Sequence, residues 1–178
     1  MVNLTFFFFC FVILFAIVGA MRGWAKEMLV TFSVVLAIFL TLVLEKYVGV
    51  IKNSFAPTHS QAQFWLRSVI LLLLAFFGYQ TPNLPKLGGA RFARERLQDA
   101  LLGIFLGALN GYLIVGSLWY FMADAGYPFS SITAPIAGTT MGDAANRLVA
   151  SMAPAWLVEP YIFFAVGVAF VFVIVVFL

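Results

Sequence analysis

The chain has 178 residues, of which 64% are apolar and only 10% carry a formal charge. Soluble domains carry about 25% charged residues, so this composition excludes a water-facing globular surface and indicates an integral membrane protein. The net charge of +3 comes from residues scattered between apolar runs. We therefore expect the basic side chains to act as topology signals and lipid-headgroup contacts, and we expect no binding of nucleic acid.

The chain has one cysteine, Cys10, and one histidine, His59. A single cysteine cannot form an internal disulfide, and this pair cannot supply a Cys/His zinc cage. We therefore predict no metal site and no cofactor.

Five apolar stretches approach the length of about 20 residues that a helix needs to cross a bilayer. No Lys or Arg precedes the first, so we interpret it as a retained span and not as a signal peptide. The third is the weakest because it includes Arg67, and a re-entrant segment is the alternative. The prediction is one all-α, polytopic membrane domain over residues 1–178. Its spans are 4–20, 28–44, 64–79, 100–122 and 161–178.

A short polar turn joins the first two spans, which predicts a tight helical hairpin. Arg22, Gly23 and Glu27 lie in this turn. Glu27 is close to the start of the second helix, where a carboxylate complements the positive end of the helix macrodipole. Further along, Arg91, Arg94 and Arg96 form a basic patch before the fourth span. We read this patch as a short helix on the inner membrane surface that binds lipid headgroups or docks a partner.

The fourth span carries Gly103, Gly107 and Gly111 on one helical stripe. Small residues at this spacing let another helix backbone approach closely. The stripe is either packing within the chain or an interface with another copy or subunit. Asn110 lies beside it at mid-span and needs a polar partner, so we expect an interhelical hydrogen bond, with a substrate path as the alternative. Asp99, one turn before Gly103, is expected to complement the positive start of its own helix or to contact the hairpin turn, for example at Arg22.

The segment after the fourth span begins with turn-forming Ser and Pro residues and continues with an apolar stripe at helical spacing. That stripe predicts an amphipathic helix over residues 141–157, either on the membrane surface or packed on the bundle. Six of the ten Lys and Arg residues lie on one side if the N-terminus is outside, which favours an N-out, C-in topology. The six are Arg22, Lys26, Lys86, Arg91, Arg94 and Arg96.

The chain resembles the colicin V production protein (CvpA-like) family of bacterial inner-membrane proteins. The resemblance rests on the hairpin, where Arg22-Gly23 and Glu27 are similar to the family's RG…E signature, and on Asp99 followed by the three glycines of the fourth span. It covers roughly residues 5–157. Ala100 and Asn110 stand where the family commonly has arginine, and the fifth span has no counterpart in the usual four-helix core.

The resemblance implies an inner-membrane location and a link to colicin V export, envelope stress and biofilm phenotypes, without an established activity. No motif for hydrolysis, phosphate binding or paired-carboxylate catalysis occurs, so we expect a non-enzymatic protein. The leading hypothesis is association through helices, with itself or with other membrane subunits, in envelope homeostasis or secretion. An accessory subunit of a photosynthetic or respiratory complex is the second hypothesis. A small oligomeric channel or transporter, with a polar path around Asn110 and Asp99, is the third.

Overall fold

The structure, a computed structural model, describes residues 4–49, 61–80 and 93–177, and in these ranges the chain is entirely helical between its turns. Helices α1 to α4 are long, and shorter helices follow them. Their bounds are α1 Leu4–Arg22, α2 Trp24–Tyr47, α3 Gln61–Tyr79, α4 Ala93–Asp124, α5 Thr140–Ala150, α6 Ala153–Trp156 and α7 Tyr161–Phe177. The expectation of an all-α polytopic membrane protein is confirmed.

The first four helices are long and apolar enough to cross a bilayer, and α7 is a shorter apolar helix of 17 residues. Helix α3 begins three residues before the predicted third span, so it reaches 19 residues with Arg67 inside it.

The end of the bundle that carries Gly23 is called the turn end, and the end that carries Asp124 is called the distal end.

Helix α4 is longer than the predicted span of 100–122, because it begins at Ala93. The expectation of a separate short helix at the basic patch is therefore wrong for Arg94 and Arg96, which lie in the first turns of α4 itself. The physical reason is that the sequence from Ala93 to Asp99 contains good helix formers and neither Gly nor Pro. Arg91 lies outside the described residues.

The predicted amphipathic helix over 141–157 is divided into α5 and α6. Thr139 caps α5 by accepting a hydrogen bond from the N–H of Gly142 at 3.0 Å. The division follows from Pro154, whose ring would collide with the carbonyl of Ala150 in a continuous helix. Ala145 and Met152 are buried against Phe8 of α1 and two residues of α4, Trp119 and Met122. The segment therefore packs on the bundle at these positions, while Met141 and Trp156 are exposed.

Helix α2 lies at the centre of the bundle. Its buried side chains, which include Val30, Val34 and Ile38, pack with Leu71 of α3 and Ile114 of α4 in one continuous core. Helix α7 lies against α2 and runs antiparallel to it. Two edge-on aromatic contacts join them: the ring centroids are 5.1 Å apart for Phe32–Phe172 and 5.9 Å apart for Phe39–Phe163.

Helices α1 and α4 touch through their backbones. A Cβ atom added to Gly107 would lie 2.9 Å from the Cα of Gly19, and one added to Gly111 would lie 2.9 Å from the Cα of Val12. Gly103 likewise faces the Gly19 carbonyl. In a bilayer, such close van der Waals contact replaces the hydrophobic effect as the force between helices. The stripe of Gly103, Gly107 and Gly111 is therefore filled by α1 of the same chain.

We expect Gly107→Leu to lower the free energy of unfolding by about 3 kcal/mol, because the backbones on both sides of the new side chain cannot move apart without separating α1 from α4. Thermal or denaturant unfolding of the purified protein in detergent measures this loss.

Gly167→Leu is the matched control, since a Cβ added to Gly167 of α7 meets no atom of the described residues within 4 Å. The control should unfold as the unchanged protein does. Equal stability of the two variants would show that the α1–α4 contact does not hold the bundle together.

Candidate functional site

The turn between α1 and α2 consists of one residue, Gly23, with a φ angle of +85°. Non-glycine residues rarely adopt this left-handed region. Space imposes a second requirement, because a Cβ atom at Gly23 would lie 2.8 Å from Oδ1 of Asp99. Glycine at this position therefore lets the chain reverse within one residue and lets α4 approach the turn.

Asp99 binds the start of α2. Its Oδ1 accepts a hydrogen bond from the backbone N–H of Trp24 at 3.2 Å. Because α4 begins at Ala93, Asp99 lies well inside its own helix, so the expectation that it complements the start of α4 is wrong. The alternative expectation, a contact with the hairpin turn, agrees with the hydrogen bond that Asp99 accepts from the Trp24 N–H. The carboxylate thus complements the positive end of α2 from a neighbouring helix.

Arg22, the last residue of α1, forms an ion pair with Glu27 in the first turn of α2. The Nη1 of Arg22 donates to Oε1 of Glu27 at 2.6 Å, and Glu27 is fully buried. The Nη2 of Arg22 donates to the backbone carbonyl of Tyr79 at 3.1 Å. The guanidinium also lies 4.4 Å from the centre of the Tyr79 ring, in cation–π geometry. Glu27 is thus more than a helix-start residue: it is a buried carboxylate with its own cation.

Asn110 completes the arrangement from α4. Its Nδ2 donates to Oε2 of Glu27 at 2.7 Å and to the backbone carbonyl of Glu27 at 3.0 Å, while the hydroxyl of Thr31 donates to its Oδ1 at 2.7 Å. The side chain of Asn110 therefore bonds across to α2. We call Arg22, Glu27, Thr31, Tyr79 and Asn110 the buried polar network. It joins all four long helices near the turn end.

Two members of the network were missed by the sequence analysis, Thr31 and Tyr79. The spacing of Glu27 and Thr31, one helical turn apart, was a usable signal because it puts two polar side chains on one face of α2. Tyr79 contributes mainly its backbone carbonyl and its ring face, and neither has a signature in the sequence.

A second polar cluster lies at the distal end. Arg67 of α3 donates to both carboxylate oxygens of Glu45 on α2, at 2.6 and 2.9 Å, and to Asp124 on α4 at 2.5 Å. This fork-shaped, bidentate pairing is the geometry in which arginine binds carboxylates most strongly. Beside it, Lys46 forms a more exposed ion pair with Glu159, just before α7, at 2.5 Å. Arg67 thus links three helices.

The remaining predicted residues have other positions. The glycine stripe packs on α1, as described above, and Arg96 is exposed in the first turns of α4. Among the described residues, no group of His, Cys, Asp and Glu side chains is arranged to hold a metal ion. The two polar clusters are instead built from arginine, carboxylate and amide groups bound to each other. Such an arrangement fixes helices relative to one another.

We expect Glu27→Ala to lower the free energy of unfolding by about 3 kcal/mol, because Arg22 loses its counter-ion and Asn110 loses an acceptor in a site of low dielectric. The Arg22→Ala, Glu27→Ala double variant should lose less than the sum of the single losses, since no charge is left unpaired. A double-mutant cycle on unfolding in detergent measures this coupling.

The exposed Lys46–Glu159 pair supplies the control cycle, and its coupling should be much smaller because solvent screens it. Additive losses at Arg22 and Glu27 would contradict the ion pair described above.

We expect Asp99→Ala to cost about 1 kcal/mol of stability, because the first turn of α2 loses an acceptor and a favourable charge. Asp99→Asn keeps the acceptor and should cost less. The measurement is the shift of the unfolding midpoint in detergent. Equal costs for the two variants would assign the effect to the charge alone, and no cost for either would remove Asp99 from the stability of the turn.

Comparisons with known proteins give one match. No curated protein and no solved structure matches the chain. The model of the family described as "Colicin V production protein" matches residues 4–141, from the start of α1 into the first turn of α5. The match covers more than half of the chain and includes the buried polar network, the glycine stripe and Asp99. The chain belongs to the colicin V production protein family.

Proposed function

We propose that this protein is a non-enzymatic membrane scaffold that acts by association with other transmembrane helices, in envelope homeostasis or secretion at the bacterial cytoplasmic membrane. The observation that carries the proposal is how the polar groups within the spans are used. Arg22, Glu27 and Asn110 bind each other at the turn end, and Arg67 binds Glu45 and Asp124 at the distal end. Both clusters serve to hold the bundle in one arrangement.

Those contacts also bear on the transport hypothesis. A polar path around Asn110 and Asp99 would have to break the bonds of Asn110 to α2, and Asn110 is fully buried. Breaking them would leave Glu27 without one of its donors inside the bundle, which is costly in low dielectric. The geometry therefore favours a scaffold over a conduction path.

Association needs a surface other than the glycine stripe, which α1 fills. Helix α7 offers one, as a groove of about 600 Å³ runs along its outward side past Gly167. Phe164 and Val168 flank this glycine and are exposed. A helix that crosses at Gly167 could approach the backbone of α7 closely, which is the contact that drives helix association in lipid. We assign this groove to another transmembrane helix.

The proposed orientation places the turn end in the cytoplasm, with the N-terminus outside and the C-terminus inside. The support is the excess of Lys and Arg on that side of the chain. Single-cysteine accessibility in intact cells, with Cys10 replaced by serine, tests this orientation.

We expect native mass spectrometry, after gentle extraction at endogenous expression, to find the chain in a discrete complex that Gly167→Leu dissociates. Gly167→Leu should leave the stability of the isolated chain unchanged, so loss of the complex would report on association and not on folding. In cells that lack the gene, the variant should fail to restore the envelope phenotype that the unchanged protein restores.

The composition of the complex distinguishes the alternatives. A fixed set of other subunits identifies an accessory subunit, and a homo-oligomer identifies self-association. A chain that stays monomeric, with full complementation by Gly167→Leu, contradicts the scaffold. Ion or solute flux through liposomes that contain only this protein also contradicts it, in favour of a channel or transporter.

A further inference from the structure

A cleft of about 380 Å³ opens between α2, α3 and α7, in the half of the bundle nearer the turn end. This volume falls within the range of about 300–1,000 Å³ typical of ligand pockets. The cleft is distinct from the groove at Gly167, and the family match ends before α7, which forms one wall. Neither polar cluster contributes a residue to its lining.

Small residues form the floor of the cleft, one from each helix. They are Ser33 of α2, Gly78 of α3 and Ala169 of α7. Gly78 and Ala169 are buried, and a Cβ atom added to Gly78 would lie 2.7 Å from the Ser33 hydroxyl oxygen. Larger apolar side chains form the rim and are exposed, among them Phe77 and Phe170. The result is a narrow apolar slot that is open on the outward side of the bundle.

One end of the slot is polar, and a lysine lies just beyond that end. Gln80, at the end of α3, lines it near the turn end. Lys26 lies on α2 one turn before Leu29 and two turns before Ser33, so it shares their face and extends the slot toward the membrane surface. Lys26 is partly exposed and takes part in none of the ion pairs among the described residues. Arg22, Arg67 and Lys46, by contrast, all have carboxylate partners.

We propose that this cleft binds one phospholipid with an anionic headgroup. The acyl chain lies in the slot between α2, α3 and α7, and the headgroup phosphate lies against Lys26 and Gln80. Two features select this occupant. An apolar slot that opens onto hydrocarbon takes an alkyl chain, and a lysine beyond its end at the membrane surface favours an anionic headgroup over a zwitterionic one.

The test is a lipid competition on the full chain, read by native mass spectrometry from vesicles with equal amounts of phosphatidylglycerol and phosphatidylethanolamine. The unchanged protein should retain one phosphatidylglycerol molecule in preference to phosphatidylethanolamine. Lys26→Gln should reduce this preference about fivefold, the contribution of one basic residue near the membrane surface. Arg96→Gln is the matched control, because it removes one exposed charge near the turn end from α4, which contributes no residue to the lining of the cleft, whereas Lys26 lies on α2, which does.

The slot itself is tested by a second pair on α7. Val173→Phe places a ring in the cleft and should release the bound lipid of either type. Ile174→Phe is the control, since Ile174 is exposed on α7 and lines neither the cleft nor the groove at Gly167. This pair keeps the test decisive if Lys26→Gln folds poorly.

Several outcomes would overturn the proposal. One is equal retention of the two lipids by the unchanged protein. Others are an equal effect of Lys26→Gln and Arg96→Gln, retention of lipid by Val173→Phe, and retention of a bound molecule that is not a phospholipid. None of these outcomes depends on the complex or the phenotype, so the scaffold proposal stands or falls separately.

Discussion

The charge on Glu27 is the constraint on which the rest of the bundle depends. A carboxylate with no exposed surface inside a membrane protein is tolerated only with a cation and donors around it. Arg22 supplies the cation from the end of α1, and Asn110 supplies an amide donor from α4. Because Glu27 binds both groups, the distances between α1, α2 and α4 are fixed. These distances also require glycine at two places. Gly19 contacts the glycines of α4 directly, and Gly23 forms the one-residue turn. A larger residue at either position would force the helices apart.

The two ends of the bundle use the same chemistry in different ways. At the turn end, the carboxylate of Glu27 accepts hydrogen bonds from side chains of two neighbouring helices. At the distal end, Arg67 donates hydrogen bonds to carboxylates of α2 and α4. Between them the helices meet through apolar side chains such as Val34, Ile38 and Leu71. Directional bonds at both ends and non-directional packing between them set the register of the helices, since apolar contacts alone would tolerate sliding.

Hydropathy and helix-breaking residues are local properties, and they were enough to predict the class of the protein and the four long helices of its described residues. Contacts between distant parts of the chain were not predictable in this way. From the sequence, Arg67 could be interpreted only as an energetic cost of placing the third span in the membrane. Its partners Glu45 and Asp124 are 22 and 57 residues away in sequence. Asp99 was assigned to the wrong helix start, since the apolar run of the fourth span begins at Ala100, whereas α4 begins at Ala93. The glycine stripe was visible in the sequence, but the helix that packs on it was not. That helix is α1, whose side chains are mostly large and which contacts the stripe at Gly19.

The separation of Arg22 and Glu27 by only five residues has a consequence for how the chain is made. The ribosome completes both residues long before it reaches Asn110, which is 83 residues beyond Glu27. During that interval the hairpin of α1 and α2 already carries its own counter-ion, so the carboxylate can enter the lipid phase as half of a neutral pair. Asn110 and Tyr79, which also bind this pair, are both synthesised later. A counter-ion encoded on α4 instead would leave Glu27 bare throughout insertion.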